Sequence, residues 1–286
     1  MVPAPSRLTT PCVLLFPGLL ANVREQRPFT SGARLRRLWN GNEHLLATNP
    51  SFFSASRRSS TRVGERMRIF KDDEDRAGQT FSESVVCGPH SRYFVLDTSR
   101  SSPAVGIHFR PGGALPFLGF AHELRDRHVA LGDLWGARAS QLQERVREAP
   151  SLERMFRELE DALLTRLRKP YLMHPAVAYA VRRLSDTAEV TRVGQVQNET
   201  GYGAKRFIEL FSGAVGLTPK VYLRIQRFQA VIRQAARGLA IDWASVAADS
   251  GYCDQPHLNR EFRAFAGTTP TLYEPVAGDR PSHVAA

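Results

Sequence analysis

The chain contains few cysteines and has no hydrophobic run long enough to cross a membrane. Its three cysteines, Cys12, Cys87 and Cys253, are far apart in the sequence and form no CxxC or other zinc-ligand spacing. This argues against a disulfide framework or a structural zinc site, and it favours a reducing compartment such as the cytoplasm. The apolar run at residues 12–20 is interrupted by a proline and a glycine, and it is far shorter than the roughly 20 residues of a spanning helix. We therefore predict no membrane association.

Motifs of catalysis and of nucleotide binding are also missing. We find no P-loop, no GxGxxG fingerprint, no nucleophile–base pair and no paired acid/base carboxylates. The histidines His90, His108, His122 and His128 are spread through the first half of the chain, and we interpret them as ordinary polar or core residues. The sequence therefore predicts that the protein is not an enzyme, and it predicts neither a cofactor nor a metal site.

Acidic residues and lysine are scarce in the first 64 residues. This segment contains nine Arg, two Glu and neither Lys nor Asp, and it carries +7 of the formal net charge of +11. We interpret this segment as a disordered basic arm or as the result of a wrongly assigned start codon. A chain of 286 residues is long enough for two domains. We predict four segments: 1–64, an α+β sensory-type domain at 65–170, whether complete or incomplete, an all-α domain at 171–275 and a flexible tail at 276–286.

Residues 65–170 combine strand and helix patterns. Runs rich in Val, Ile, Phe and Tyr, separated by Asp, Gly, Pro and Ser, predict a strand meander at 67–70, 81–86, 92–98 and 104–110. Helical periodicity follows at 131–149 and 151–168. Between the two patterns, the Arg110-Pro-Gly-Gly loop fits a tight turn at the end of a strand, with an anion-binding loop for an effector as the alternative.

The last third of the chain contains one supersecondary pattern twice. The first copy runs from Val193 to Tyr222 and the second from Trp243 to Tyr273. In each copy a short apolar-periodic stretch ends at a glycine, Gly201 or Gly251, and a second amphipathic stretch leads into a Gly-x-Thr-Pro-x-x-Tyr tail. A glycine able to adopt positive φ between two short helices is typical of a helix-turn-helix unit.

The outer face of each second helix carries side chains suited to DNA. Asn and Gln can bond adenine bidentately and Arg can do so with guanine, which makes the second copy the better-equipped reader. Pro256 lies in the first turn of its helix, where a missing N–H is tolerated. The candidate base readers are Lys205, Ile208 and Glu209 in the first copy and Gln255, Asn259 and Arg260 in the second. The candidate phosphate contacts are Lys220, Arg206, Arg227 and Arg263.

A long helix is predicted between the copies, at residues 219–236, because apolar residues recur there at steps of three and four. At 1.5 Å per residue it spans about 25–27 Å, which suits two reading helices placed about one turn of the duplex apart. A single chain can therefore read two adjacent major grooves.

Residues 174–274 resemble the DNA-binding domain of the AraC/XylS family of transcriptional regulators. The motif at 251–270, Gly-Tyr-x-Asp-Gln-x-His-Leu-x-Arg-Glu-Phe-Arg-x-Phe-x-Gly-x-Thr-Pro, carries this resemblance. Residues 66–169 resemble the N-terminal sensory-type domain of one subgroup of that family, notably at 88–97, 105–114 and 133–136. The resemblance implies two helix-turn-helix units joined by a long helix and double-stranded DNA as the partner. RNA polymerase and a small-molecule effector are further candidate partners.

The first copy departs from the family pattern at three positions. Gly194 lies inside its first helix, Gln197 replaces a small packing residue, and Gly203 replaces a Ser cap. A glycine inside a helix costs about 0.5–1 kcal/mol relative to alanine, so we expect the first unit to be the weaker one. These departures leave a second hypothesis open, a remnant or protein-interaction module with only non-specific DNA affinity.

Overall fold

The computed structural model places an α+β region before an all-α region, as the sequence predicts. It describes residues 67–81, 84–97, 104–119, 121–167, 172–186, 192–235 and 241–273, together with strands at 12–17, 23–25, 53–58 and 283–285. Most of the segment 1–64 and of the tail 276–286 lies outside these residues. Within the described residues, no helix is long and apolar enough to cross a membrane.

The strands form two five-stranded sheets, of order β3-β8-β1-β6-β9 and β10-β2-β7-β4-β5. They are β1 Cys12–Pro17, β2 Val23–Glu25, β3 Phe53–Arg58, β4 Met67–Phe70, β5 Gln79–Phe81, β6 Ser84–Cys87, β7 Phe94–Asp97, β8 Ala104–Phe109, β9 His128–Ala130 and β10 His283–Ala285. Three of them, β1 to β3, lie within the first 64 residues, where the sequence analysis predicted no strand.

The predicted meander is wrong. The run predicted as one strand at 81–86 is divided between β5 and β6, which belong to different sheets. β6 pairs parallel with β1 and antiparallel with β9, whereas β4 pairs antiparallel with both β5 and β7. Short apolar runs predict that strands exist, but the choice of pairing partner depends on contacts that are distant in the sequence.

Four α-helices and a 3-10 helix, Ala121–Leu124, lie among the described residues of the α+β region, and one predicted helix is divided into two of the α-helices. The α-helices are α1 Leu115–Leu118, α2 Leu131–Trp135, α3 Ala137–Glu148 and α4 Leu152–Arg166. The predicted helix at 131–149 breaks at Gly136, whose φ of 58° ends α2. The side chain of Ser151 caps α4 by accepting a hydrogen bond from the amide of Arg154.

A hydrophobic core lies between the helices and the sheet that contains β6 and β8. Phe109 and Phe117 stack in this core, and Leu131 and Leu142 are fully buried beside them. The indole of Trp135 donates a hydrogen bond to the Phe117 carbonyl. The Arg110-Pro-Gly-Gly loop is a tight turn, since the Gly113 amide donates to the Arg110 carbonyl at 2.8 Å, so the turn interpretation is confirmed.

The C-terminal domain consists of six helices among the described residues. They are α5 Pro175–Ser185, α6 Val193–Glu199, α7 Ala204–Val215, α8 Pro219–Ala235, α9 Trp243–Asp249 and α10 Gln255–Ala266. The predicted connecting helix is confirmed as α8, which is 17 residues long. Tyr222 of α8 is buried in a core with α5, α6 and α7, and Phe228 of α8 is buried in a second core with α9 and α10. α8 therefore contributes buried residues to the hydrophobic cores of both helix-turn-helix units.

Candidate nucleic-acid interface

The two helix-turn-helix units are built alike. Gly201 and Gly251 both have a φ of 74° just beyond the ends of α6 and α9. The second helices, α7 and α10, are 12 residues long, and each is followed by a glycine in the left-handed conformation. This confirms the predicted repeat.

The second turn is longer than the first by one residue. The numbering offset between the copies is 50 at the turn glycines, Gly201 and Gly251, and 51 at the buried residues Phe207 and Leu258. The extra residue therefore lies in the turn, before the second helix begins. As a consequence, Ile208 and Glu209 on α7 correspond to Asn259 and Arg260 on α10.

The outer face of α10 presents the predicted readers to solvent. Leu258, Phe262 and Phe265 are fully buried on the opposite face, against α8 and α9. Gln255 and Asn259 are half-buried, whereas Pro256, Arg260 and Arg263 are exposed. Residues three or four apart lie on one side of a helix, so the structure brings Pro256, Arg260 and Arg263 to one accessible face.

The outer face of α7 is exposed but has fewer groups that can bond bases. Phe207 and Phe211 are buried, while Lys205, Arg206 and Glu209 are exposed and Ile208 is 44% exposed. The Arg206 guanidinium lies 3.6 Å from the Glu209 carboxylate. This exposed pair contributes little to stability, but it neutralises part of the charge on this face.

The helix starts also differ between the units. The Asp254 side chain caps α10 by accepting from the His257 amide at 2.6 Å. Asp242 caps α9 by accepting from the Ala244 amide and the Ser245 hydroxyl, and these bonds, the Ser245 bond first, lower the pKa of its carboxyl. By contrast, α7 has Gly203 at its N-cap position and therefore no side-chain cap. The negative caps stabilise the positive N-terminal ends of their helices.

Gln197 has a partner that the sequence analysis did not predict. Its side-chain amide donates a hydrogen bond to the Tyr202 carbonyl and so links the end of α6 to the turn. Its counterpart in the second unit, Ala247, is fully buried against the neighbouring helices. The polar side chain in the first unit is therefore satisfied, which reduces the penalty expected from its size.

The predicted phosphate contacts lie in different environments. Lys220 is exposed in the first turn of α8, and Arg263 is exposed on α10. Arg227 is half-buried. It lies against the second turn: the Nε atom of Arg227 would be 3.2 Å from a Cβ atom added to Gly251. Arg227 therefore packs against the turn of the second helix-turn-helix unit.

An ion pair that joins α8 to α10 was not predicted. Arg224 donates to both carboxylate oxygens of Glu261, at 2.7 and 2.8 Å, and its guanidinium lies 5.2 Å from the ring centroid of Phe265. The hydrogen bond to Glu261 is the main cause of the raised pKa of Arg224. The partners are 37 residues apart, so no local sequence pattern indicates the contact. It is a direct polar contact between α10 and the shared helix.

Comparisons with known proteins match both domains to families. Residues 196–274 match the family described as a helix-turn-helix domain, and residues 53–130 match a domain of unknown function, DUF6597. The second match begins inside the segment 1–64. A search of curated proteins finds no significant match.

Among solved structures, the chain is similar to ToxT from Vibrio cholerae. One ToxT structure has 13% identity and a TM-score of 0.35, and the match covers 78% of this chain and 98% of ToxT. A second, of ToxT bound to (E)-4-(8-methylnaphthalen-1-yl)but-3-enoic acid, has 12% identity and a TM-score of 0.33, with the same coverage. With two such units on one shared helix in the matched region, the chain carries an AraC-type helix-turn-helix domain that follows a DUF6597 domain in the sequence.

Proposed function

We propose that the protein binds a specific DNA sequence, with α7 and α10 in two adjacent major grooves. The observation that carries this proposal is the shared helix α8, whose two ends pack against the two units. Its 17 residues span about 25 Å at 1.5 Å per residue. A shared helix of this length, with one reading helix packed at each end, supports placement of the two reading helices in consecutive major grooves on one side of a duplex, which are about 34 Å apart.

The side chains on α10 supply most of the sequence discrimination in this proposal. Gln255 and Asn259 bond adenine, and Arg260 bonds guanine through its two parallel donors. On α7, Lys205 bonds guanine, Glu209 accepts from cytosine, and Ile208 contacts a thymine methyl group. The second unit therefore contributes the larger share of specificity.

Phosphate contacts provide affinity and register. Lys220, Arg206, Arg227 and Arg263 are the residues that we propose for this role. Each phosphate neutralised by a Lys or Arg contributes about 0.9 to the slope of log K against log salt. Replacement of one of these residues should therefore weaken binding to all DNA sequences by a similar factor.

A gel-shift titration of the full chain against the DNA upstream of its own coding sequence tests the proposal. We expect a complex that survives an excess of unrelated duplex, and a footprint with two contact regions about 10–10.5 base pairs apart. Arg138→Ala is the matched control, because Arg138 is exposed on α3, outside the C-terminal domain. Weak, sequence-blind and strongly salt-dependent binding would instead favour the remnant or protein-interaction module.

RNA polymerase, a small-molecule effector and a cytoplasmic location belong to the same proposal. The first two rest on the family resemblance, and the location rests on the cysteine pattern as well. A co-purification of the DNA-bound chain with RNA polymerase tests the first of them.

A further inference from the structure

Three potential metal ligands from separate parts of the sequence meet in the α+β domain. Cys87 is the last residue of β6 and His128 is the first residue of β9, and the antiparallel ladder makes them direct cross-strand partners. His90 follows Cys87 by three residues, in a connection that is held to the same edge of the sheet. The Gly88 amide donates to the Arg127 carbonyl at 2.9 Å, and the Asp126 amide donates to the Pro89 carbonyl at 3.0 Å.

The ligand atoms of these residues lie within 4.8 Å of one another. The Cys87 Sγ atom is 3.1 Å from His128 Nε2 and 4.0 Å from His90 Nδ1. A tetrahedral zinc ion has bonds of about 2.3 Å to sulfur and about 2.0–2.1 Å to imidazole nitrogen, which places sulfur about 3.5 Å from each nitrogen. The separation to His128 Nε2 is shorter than this value and the separation to His90 Nδ1 is longer. Ligation by His90 Nδ1 therefore needs a small side-chain movement and release of its hydrogen bond to the Gly88 carbonyl.

We propose that Cys87, His90 and His128 form a binding site for a borderline or soft transition-metal ion, of which Zn²⁺ is the representative. One thiolate and two imidazoles suit zinc and disfavour Mg²⁺ and Ca²⁺, which prefer oxygen ligands. Binding converts the Cys87 thiol to a thiolate and releases its proton to solvent. Three protein ligands leave the fourth tetrahedral position for water or another small ligand.

The surroundings hold the side chains in place and exclude bulk water. Cys87 is 5% exposed and His90 is 4% exposed, and His128 is partly buried. The Phe94 ring packs on both imidazoles, with centroid distances of 4.8 Å to His90 and 4.5 Å to His128.

The Gly88 carbonyl orients His90. It accepts a hydrogen bond from His90 Nδ1 at 2.7 Å, so Nδ1 carries the proton and Nε2 has the free lone pair. A bond from the second ring nitrogen to a backbone carbonyl is the usual outer contact of a metal-ligating histidine. His90 can therefore ligate through Nε2 in this tautomer, or through Nδ1 once the bond to Gly88 is released.

The sequence analysis missed this site because the three residues have no diagnostic spacing. Cys87 and His128 are 41 positions apart, and only the pairing of β6 with β9 brings them together. The short segment from Cys87 to His90 was the one available signal. By itself, one such pair predicts nothing.

Titration of the full, metal-stripped chain with Co²⁺, followed by displacement with Zn²⁺, tests the site. We expect one equivalent of Co²⁺ to bind with a thiolate-to-cobalt charge-transfer band, and we expect Zn²⁺ to abolish the band. Cys87→Ser should remove the band, and His90→Gln and His128→Gln should each weaken Co²⁺ binding at least tenfold. Cys12→Ser, Cys253→Ser and His122→Ala are the controls and should retain it.

X-ray absorption of the zinc-loaded wild-type chain keeps the test decisive even if a variant fails to fold. The expected first shell contains one sulfur, two imidazole nitrogens and one further oxygen or nitrogen atom in the fourth position. A shell of oxygen and nitrogen alone would overturn the proposal, as would a charge-transfer band that persists in folded Cys87→Ser. Absence of any bound equivalent in the wild-type chain would overturn it as well.

Discussion

Asn259 and Arg260 occupy on α10 the positions that Ile208 and Glu209 occupy on α7. A guanidinium and an amide can each bond a base edge through two atoms, whereas an isoleucine offers only an apolar contact. Glu209 is repelled by phosphates, and its carboxylate lies 3.6 Å from the Arg206 guanidinium. At the scale of single residues, the two reading helices are therefore unequal.

Arg260→Ala should cost about 1–3 kcal/mol of specific binding and relax the preference for one guanine. Glu209→Ala should cost less, and it should tighten non-specific binding, because removing a negative charge favours contact with phosphates. Both variants are measured against a panel of single-base changes in the selected site. A larger loss of specificity from Glu209→Ala would reverse the assignment of the two halves.

Gly194→Ala should stabilise the first unit. Gly194 lies within α6, and a Cβ atom there would meet no atom within 4 Å. Alanine should therefore raise the free energy of local unfolding of α6 by about 0.5–1 kcal/mol. Amide hydrogen exchange in α6 measures this free energy. Gly201→Ala is the matched control, since a Cβ is equally unhindered there but the φ of 74° is unfavourable for alanine. It should lower the same free energy, and stabilisation by both variants would contradict this explanation.

At the scale of elements, the sequence predicted structure best where the contacts are local. The α8 helix and the paired units follow from apolar residues three and four apart and from glycines that require positive φ. The division of residues 131–149 at Gly136 was missed, because a glycine inside a periodic stretch does not by itself show a break. The Arg224–Glu261 ion pair was also missed, since helix packing brings its partners together.

The Arg224–Glu261 ion pair should couple α10 to α8. Removing either partner leaves the other partly buried without its opposite charge. A bidentate pair in this setting has an interaction energy of about 1–2 kcal/mol. A double-mutant cycle with Arg224→Ala and Glu261→Ala, read by amide hydrogen exchange in α10, measures it. Arg233→Ala, which removes an exposed charge from the same helix, should have no effect. Additive effects of the two substitutions would show that the pair does not hold α10.

At the scale of the whole molecule, the α+β domain contacts the first reading unit at two places. The single-turn helix Ala121–Leu124 lies against α7. A Cβ atom added to Gly112 would be 2.4 Å from the Met173 side chain and 3.7 Å from the Ala214 carbonyl of α7. The tight turn at Arg110 therefore packs closely against the C-terminal domain. A change in the α+β domain can reach α7 through these contacts.

The proposed metal site is directly connected to one of these contacts. Gly88, next to Cys87, packs so closely on the Leu124 carbonyl that an added Cβ atom would lie 1.7 Å from it. A movement of Cys87 toward a metal ion should therefore displace the Ala121–Leu124 turn, and with it the surface that α7 contacts. Coupling between two ligand sites is commonly about 1–3 kcal/mol and must be reciprocal.

We therefore predict that Zn²⁺ changes the affinity of the full chain for its specific DNA site by about fivefold or more. Titrations of DNA with and without Zn²⁺, and of Zn²⁺ with and without DNA, should give the same factor, because the two couplings share one free energy. Cys87→Ser should abolish the factor while retaining DNA binding, and Cys253→Ser should preserve it. Equal DNA affinities with and without bound Zn²⁺ would mean that the metal site and the reading helices are independent.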